Sequence, residues 1–95
     1  MGISECVLSE IKMLAVKYGI SKVLLFGSRT RGDYKERSDI DLAVSGGDIV
    51  RFSLAVDEKT STLLKFDVIN LDGQIQQDLL LSIAVEGVVL YEKVR

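Results

Sequence analysis

Residues 24–42 of this chain read LLFGSRTRGDYKERSDIDL, and this stretch decides both the expected fold and the expected site. An apolar run ends at Gly27 and Ser28, and Asp39 and Asp41 follow after ten more residues. A Gly-Ser pair at the end of a strand lets phosphate oxygens approach bare backbone N–H groups. The two aspartates point to one face of the next strand, because side chains alternate along a strand. Two such carboxylates beside a phosphate cradle suit a hard divalent cation such as Mg²⁺.

A third acidic candidate lies in a later apolar run, FDVI at residues 66–69. Placing Asp67 in such a run is costly unless the charge has a role. Phosphoryl and nucleotidyl transfer need the phosphates held, their charge neutralised and the reacting oxygens aligned, and two metal ions about 4 Å apart can do this. We expect Asp67 to join Asp39 and Asp41 as a third metal ligand or as a base. The plain alternative is a solvent-facing position on an edge strand.

Basic residues cluster between the glycine turn and the aspartate pair, with one more just upstream. They could neutralise the phosphates of a nucleotide, or they could belong to a solvated loop, since acidic residues are interspersed among them. The sequence favours neither interpretation. The basic residues are Lys22, Arg29, Arg31, Lys35 and Arg37.

The amino-acid composition indicates the class of protein and excludes several kinds of functional site. The 95 residues are 47% hydrophobic and 27% charged, which predicts one soluble globular domain over residues 1–95. There is no histidine, which excludes histidine metal sites and histidine general bases. The net charge of −2 argues against a generic nucleic-acid surface, and no apolar run is long enough to span a membrane.

The single cysteine and the N-terminus suggest a compartment. Cys6 cannot form an internal disulfide, which fits a reducing, cytoplasmic environment. We expect it to be a half-buried thiol on a helix. No basic region precedes an apolar block near Met1, so no secretory signal is expected.

Hydrophobic periodicity predicts the order α-β-β-α-β-α-β and an α/β (α+β) fold: a mixed four-stranded sheet with helices packed against it. The first two strands should pair antiparallel, because the connection between them is too short for a helical crossover. The second helix should follow Asp48 and carry Leu63 inward. Asp72 should cap the third helix, which should run from about 74 to 86 and include Ile75. The expected strands are 22–26, 39–45, 65–71 and 88–92, and the first helix is 4–18.

The segments LFGSRTRG (25–32) and SDIDL (38–42) resemble the signature of the nucleotidyltransferase superfamily related to DNA polymerase beta. The small size resembles its minimal nucleotidyltransferase branch. The resemblance implies the superfamily's mixed α/β core, dependence on Mg²⁺ (two ions) and ATP as the donor.

The family roles transfer to matching positions of this chain. Gly27 and Ser28 would bind the β and γ phosphates of the donor. Asp39, Asp41 and Asp67 would be the catalytic, metal-binding carboxylates, with Asp67 helping to draw the proton from the acceptor hydroxyl. Arg29 and Arg31 would stabilise the departing pyrophosphate.

The resemblance also implies a partner. Minimal nucleotidyltransferases of this kind resemble the antitoxin half of two-gene toxin–antitoxin systems, in which AMP is added to a tyrosine of a helical HEPN-type toxin. Two alternatives stay open: a non-catalytic module that neutralises its partner by covering it, and a nucleotidyltransferase that acts on a small molecule or RNA with a helper subunit. A homodimer is also compatible with so small a core.

Overall fold

The computed structural model describes residues 3–27 and 39–94. The order and type of the elements confirm the predicted α-β-β-α-β-α-β arrangement. The elements are α1 (Glu5–Lys17), β1 (Lys22–Phe26), β2 (Ile40–Ser45), α2 (Ile49–Lys59), β3 (Phe66–Asn70), α3 (Gln77–Glu86) and β4 (Val88–Glu92).

The four strands form one mixed sheet in the order β3-β2-β1-β4. β1 pairs antiparallel with both β2 and β4, whereas β2 and β3 run parallel. The antiparallel pairing of β1 with β2 confirms the expectation from their short connection. The parallel pair is joined through α2, as parallel neighbours require a crossover connection. Both β3 and β4 are therefore edge strands.

The main core lies between the sheet and the helices α1 and α2. Ile11 of α1, Phe52 of α2 and Leu42 of β2 are fully buried in one apolar cluster. A second, smaller cluster covers the opposite face of the sheet, where Ile83 of α3 packs with Phe26 and Ala43. The sheet is thus apolar on both faces, which explains why its central strands read as nearly continuous hydrophobic runs.

Side-chain caps fix the starts of the first two helices. The Ser4 hydroxyl accepts a hydrogen bond from the Val7 amide at 3.2 Å, and the Asp48 carboxylate accepts one from the Arg51 amide at 3.2 Å. Each bond satisfies an N–H group that the helix itself leaves unpaired. Gly19, at a φ of +68°, follows the C-cap of α1, as its position in the sequence predicts.

The predicted start of the third helix was wrong. α3 begins at Gln77 without a side-chain cap, and Ile75 lies before it. The Asp72 carboxylate instead accepts a hydrogen bond from the Gly46 amide at 2.7 Å. Asp72 therefore links the turn after β3 to the turn after β2. Its carboxylate pairs with an amide at the end of β2 rather than with an amide at the start of α3.

Two further expectations were wrong. Leu63 lies beyond α2, which ends at Lys59, and its side chain is fully exposed. Cys6 is exposed rather than half-buried, because it occupies the outward side of the first turn of α1. Within residues 3–27 and 39–94, no helix has the length and apolarity needed to cross a membrane.

Candidate functional site

One edge of the sheet brings together the end of β1 and the beginnings of β2 and β3. This follows from the topology, because β1 runs antiparallel to β2 and β2 runs parallel to β3. In register, Asp41 lies opposite Phe26 on one side and opposite Asp67 on the other. Gly27 directly follows Phe26. The glycine and two of the predicted carboxylates therefore converge at this edge.

Gly27 and Asp41 are in close contact. A Cβ atom added to Gly27 would lie only 2.5 Å from Oδ2 of Asp41, a separation that real Cβ atoms essentially never show. The φ of Gly27 is +81°, in the left-handed region that favours glycine. Two independent constraints thus require glycine here, and the Asp41 carboxylate lies over the backbone where the strand turns away.

Asp41 and Asp67 share one face of the sheet. Asp67 is the direct neighbour of Asp41 across the parallel ladder, whereas Asp39 lies one residue before the start of β2. Neighbouring strands are about 4.8 Å apart, so Asp41 and Asp67 are within reach of a common ligand. Asp41 is half-buried, whereas Asp39 and Asp67 are exposed to solvent.

An apolar layer continues along this face from the carboxylates. Phe26 and Ala43 are buried there against Ile83 of α3, and Ile69 packs beside them. Asp41 precedes Ala43 by two residues and Asp67 precedes Ile69 by two, so each carboxylate is followed by an apolar side chain on the same face. The packed cluster holds in place the strands that carry the carboxylates.

The donor set fits Mg²⁺, which prefers carboxylate oxygens. The described strands supply Asp41 and Asp67 side by side, with Asp39 immediately before β2. Among residues 3–27 and 39–94, however, no three acidic, histidine or cysteine side chains form a group that could hold a metal ion. A common ion on Asp39, Asp41 and Asp67 therefore stays a prediction.

Of the other candidate residues, Lys22 lies within the described part of the chain. Ser28, Arg29 and Arg31 lie outside the described residues, as do Lys35 and Arg37. Lys22 lies at the other end of β1, about 16 Å from Gly27 by the rise of a strand. There its ammonium pairs with the Glu92 carboxylate at 3.4 Å. The inclusion of Lys22 in a phosphate-neutralising cluster was wrong.

Sequence patterns missed the loop between α2 and β3, which runs past the same edge. The Lys65 carbonyl accepts a hydrogen bond from the Ile40 amide at 2.9 Å. Ile40 lies between the two aspartates of the β2 motif, so this loop contacts the backbone that carries them. The polar run Thr60-Ser61-Thr62 was the available signal that α2 ends there.

Residues 9–95 match the protein family described as "Polymerase beta, Nucleotidyltransferase". The chain belongs to this family. A protein of Methanocaldococcus jannaschii named "Putative protein adenylyltransferase MJ0604" is 48% identical over 50 residues. The match covers 53% of this chain and 48% of that relative, so the chain spans about half the length of the relative it matches.

Solved structures share the fold. A crystal structure of a toxin–antitoxin with AMP-PNP superposes with a TM-score of 0.74 at 20% identity, over 90% of this chain and 73% of that one. A structure described as a "putative minimal nucleotidyltransferase" gives a TM-score of 0.67 at 25% identity, over 85% and 86% of the two chains. These similarities confirm the mixed sheet with helices packed against it, and they agree with the minimal branch expected from the sequence.

Proposed function

We propose that this chain is an Mg²⁺-dependent nucleotidyltransferase that moves AMP from ATP to a tyrosine hydroxyl of a HEPN-type toxin partner. The observation that carries the proposal is the convergence of Gly27, Asp41 and Asp67 at one sheet edge, within a family whose members are nucleotidyltransferases. Nucleotidyl transfer needs held phosphates and neutralised charge at one point. This edge combines a glycine turn with adjacent carboxylates.

Each residue has a role in the proposed reaction. Backbone N–H groups at Gly27 and Ser28 would hold the β and γ phosphates. Asp39, Asp41 and Asp67 would hold Mg²⁺, which when bound neutralises phosphate charge and polarises the attacking oxygen. Arg29 and Arg31 would stabilise the departing pyrophosphate.

The transfer itself exchanges one bond for another. The acceptor oxygen forms a bond to the α-phosphorus, and the bond from that phosphorus to the oxygen bridging to the β-phosphate breaks. Pyrophosphate leaves with the electron pair, and the hydroxyl proton passes to the carboxylate of Asp67. Asp67 is exposed and belongs to an edge strand, so an acceptor from another molecule can reach it.

The relatives support the donor and the class of acceptor. A structure with the same fold is a toxin–antitoxin with AMP-PNP, an ATP analogue. The archaeal relative carries the name of a protein adenylyltransferase. Both favour ATP as the donor and a protein as the acceptor. In a two-gene system, the acceptor is the product of the adjoining gene.

The test is label transfer between purified proteins. The chain is mixed with Mg²⁺, ATP labelled at the α-phosphate and the product of the adjoining gene. The matched control is the double variant Asp39→Asn/Asp41→Asn. The proposal predicts label on a tyrosine of the partner, located by peptide mass spectrometry, and none with the double variant. Label found only in RNA or in a small molecule would support the nucleotidyltransferase activity but refute a protein tyrosine as the acceptor.

One observation favours a second function, neutralisation of the partner by binding alone. No three acidic side chains among residues 3–27 and 39–94 are grouped closely enough to hold a metal ion. A binding module has no need of such a group. This second function predicts that Asp41→Asn protects cells from the partner as fully as the wild-type protein does.

A further inference from the structure

We infer that a second copy of this chain binds at the surface formed by α3 and β4, so that the two β4 strands pair antiparallel about a twofold axis. This interaction goes beyond the proposed function, because β4 and the strand that carries Asp67 are at opposite edges of the sheet. The α3–β4 surface comprises five exposed aliphatic residues: Leu80 (42% exposed), Leu81 (57%), Val85 (82%), Val88 (41%) and Val89 (49%).

α3 has more apolar residues than its contact with the sheet covers. Leu79 and Ile83, one turn apart, pack in the smaller cluster on the sheet. Leu80 and Leu81 lie on other sides of the helix and are exposed, and the run from Leu79 to Val85 contains no charged residue. A surface helix normally has one apolar stripe, whereas a helix that is apolar around most of its circumference is buried in the assembled protein. The outward side of α3 is therefore suited to pack against a partner.

The other two helices carry charge on their outward sides. Val16 of α1 is exposed, but it lies one turn after Lys12, which is also exposed. Leu54 of α2 is exposed, but it lies one turn before the exposed Glu58. Residues one turn apart are neighbours on a helix surface. An uninterrupted apolar surface therefore distinguishes α3 from α1 and α2.

β4 continues this surface to the edge of the sheet. Gly87 alone separates α3 from β4. Val89 lies opposite Leu24, which packs in the cluster beneath α3, so Val89 and α3 are on the same face of the sheet. The register of β4 on β1 shifts once, at Leu90, whose side chain is buried in the main core. Val88 and Val89 precede this shift and pair regularly with β1.

The outer side of β4 favours a strand as the partner. In the described part of the chain, β4 is paired with β1 and with no other strand. An edge strand exposes N–H and C=O groups that can pair with another chain, and charged side chains are one way in which proteins prevent this. β3, the other edge strand, carries Asp67, whereas residues 88–91 of β4 read VVLY. β4 therefore presents an uncharged edge to another strand.

A second copy of β4 fits this edge, because antiparallel pairing about a twofold axis is self-complementary. With the axis perpendicular to the sheet, the two sheets join into one and both α3 helices lie on the same face of it. The α3–β4 surface contains no charged side chain, so the axis brings no like charges of this surface together. The same lack of cations excludes a nucleic-acid backbone as the partner.

The size of the α3–β4 surface matches what a stable dimer buries. Its five residues expose the equivalent of nearly three complete aliphatic residues, or roughly 450 Å². A standard interface buries about 800 Å² on each partner, and about 56–65% of that area is apolar. The five residues supply this apolar share, and the backbone of β4 with its flanking polar side chains supplies the rest.

The test measures self-association of the purified chain by sedimentation equilibrium, from micromolar to millimolar concentration. Val85→Lys and Val89→Lys place a charge on the helix and on the strand of the surface. Val16→Lys is the matched control, because Val16, like Val85, is an exposed valine at the second-to-last position of its helix. All three side chains are exposed, and circular dichroism checks each fold. Hydrogen exchange of the β4 amides is measured at low and at high protein concentration.

We expect a wild-type dimer in which exchange of the β4 amides slows as the concentration rises. Val85→Lys and Val89→Lys should each raise the Kd of the dimer at least about tenfold, and Val16→Lys should change it less than about twofold. A wild-type protein that stays monomeric at millimolar concentration would overturn the inference, and so would a dimer whose Kd either surface variant leaves unchanged.

Two further measurements separate this inference from other outcomes. If the chain alone is monomeric, and Val85→Lys weakens its complex with the product of the adjoining gene, the surface binds that protein and the second copy is ruled out. AMP transfer by a monomeric chain would overturn the dimer while leaving the proposed function intact. A dimer that the surface variants disrupt but that transfers no AMP would establish the interface and refute the transferase.

Discussion

Asp41 and Asp67 lie opposite each other on neighbouring parallel strands, and the Asp41 carboxylate also contacts the backbone of Gly27. Side chains that are direct neighbours in a sheet interact, and like charges in this arrangement destabilise the fold. The two carboxylates therefore repel each other when no cation lies between them. A divalent cation bound between them, as the proposed reaction requires, would remove this repulsion.

Asp41→Asn should abolish most AMP transfer without unfolding the protein. The change removes ligand charge with little change in shape, and we expect the transfer rate to fall at least about 100-fold. The rate is measured by label transfer, and the circular dichroism spectrum reports the fold. Asp78→Asn is the matched control, since Asp78 is an exposed residue in the first turn of α3. A transfer rate within a few-fold of wild type in Asp41→Asn would refute the site.

Asp67→Asn should stabilise the protein when no divalent cation is present. Removing one of two neighbouring like charges should raise the free energy of unfolding by about 0.2–1 kcal/mol, which corresponds to roughly 1–6 °C in Tm for a domain of this size. Thermal unfolding in EDTA measures the effect, and Asp78→Asn should give no such gain. Added Mg²⁺ should stabilise the wild-type protein more than the variant. A lower Tm for Asp67→Asn in EDTA would contradict the account.

A comparison of Gly27→Ala with Gly19→Ala separates the effect of backbone strain on stability from the effect of a disturbed site on AMP transfer. Both glycines have positive φ, +81° and +68°, so alanine at either position costs about 1–2 kcal/mol of stability. Only at Gly27 does the new methyl group collide with Asp41, since nothing lies within 4 Å of a Cβ at Gly19. Urea unfolding should show destabilisation in both variants, and AMP transfer should be lost only in Gly27→Ala. Equal transfer by the two variants would mean that the Gly27–Asp41 contact has no role in the reaction.

Glu10→Ala should release the loop that carries Leu63. The variant loses both hydrogen bonds to Ser61, each with a charged acceptor, and we expect a loss of about 1–3 kcal/mol. Hydrogen exchange of the Ser61 amide should accelerate correspondingly. Glu58→Ala, an exposed change within α2, is the control. Unchanged exchange at Ser61 in Glu10→Ala would show that the hydrogen bonds do not hold the loop.

The sequence predicts the fold well where periodicity and turn residues agree. The apolar run before Gly27 and the alternation from Asp39 to Ser45 locate β1 and β2, and their short connection predicts the antiparallel pairing. These features depend on local geometry, which a pattern of neighbouring residues encodes directly.

Features that depend on residues distant in sequence were not predictable in this way. The bond from Gly46 to Asp72 joins two turns that become neighbours only when β2 and β3 pair, so Asp72 resembles a helix cap in the sequence. Leu63 fits a helical spacing but follows the point where Ser61 turns toward Glu10 of α1. The ion pair of Lys22 with Glu92 likewise requires the pairing of β1 with β4.

The most direct test of the central claim is protection of cells by Asp41→Asn. Cells produce the product of the adjoining gene together with either the wild-type chain or this variant at matched levels, and growth, complex formation and AMP on the partner are measured. The account predicts that the variant still binds the partner, adds no AMP to it and fails to protect the cells. Full protection by Asp41→Asn, with no AMP on the partner, would contradict the account and establish neutralisation by binding alone.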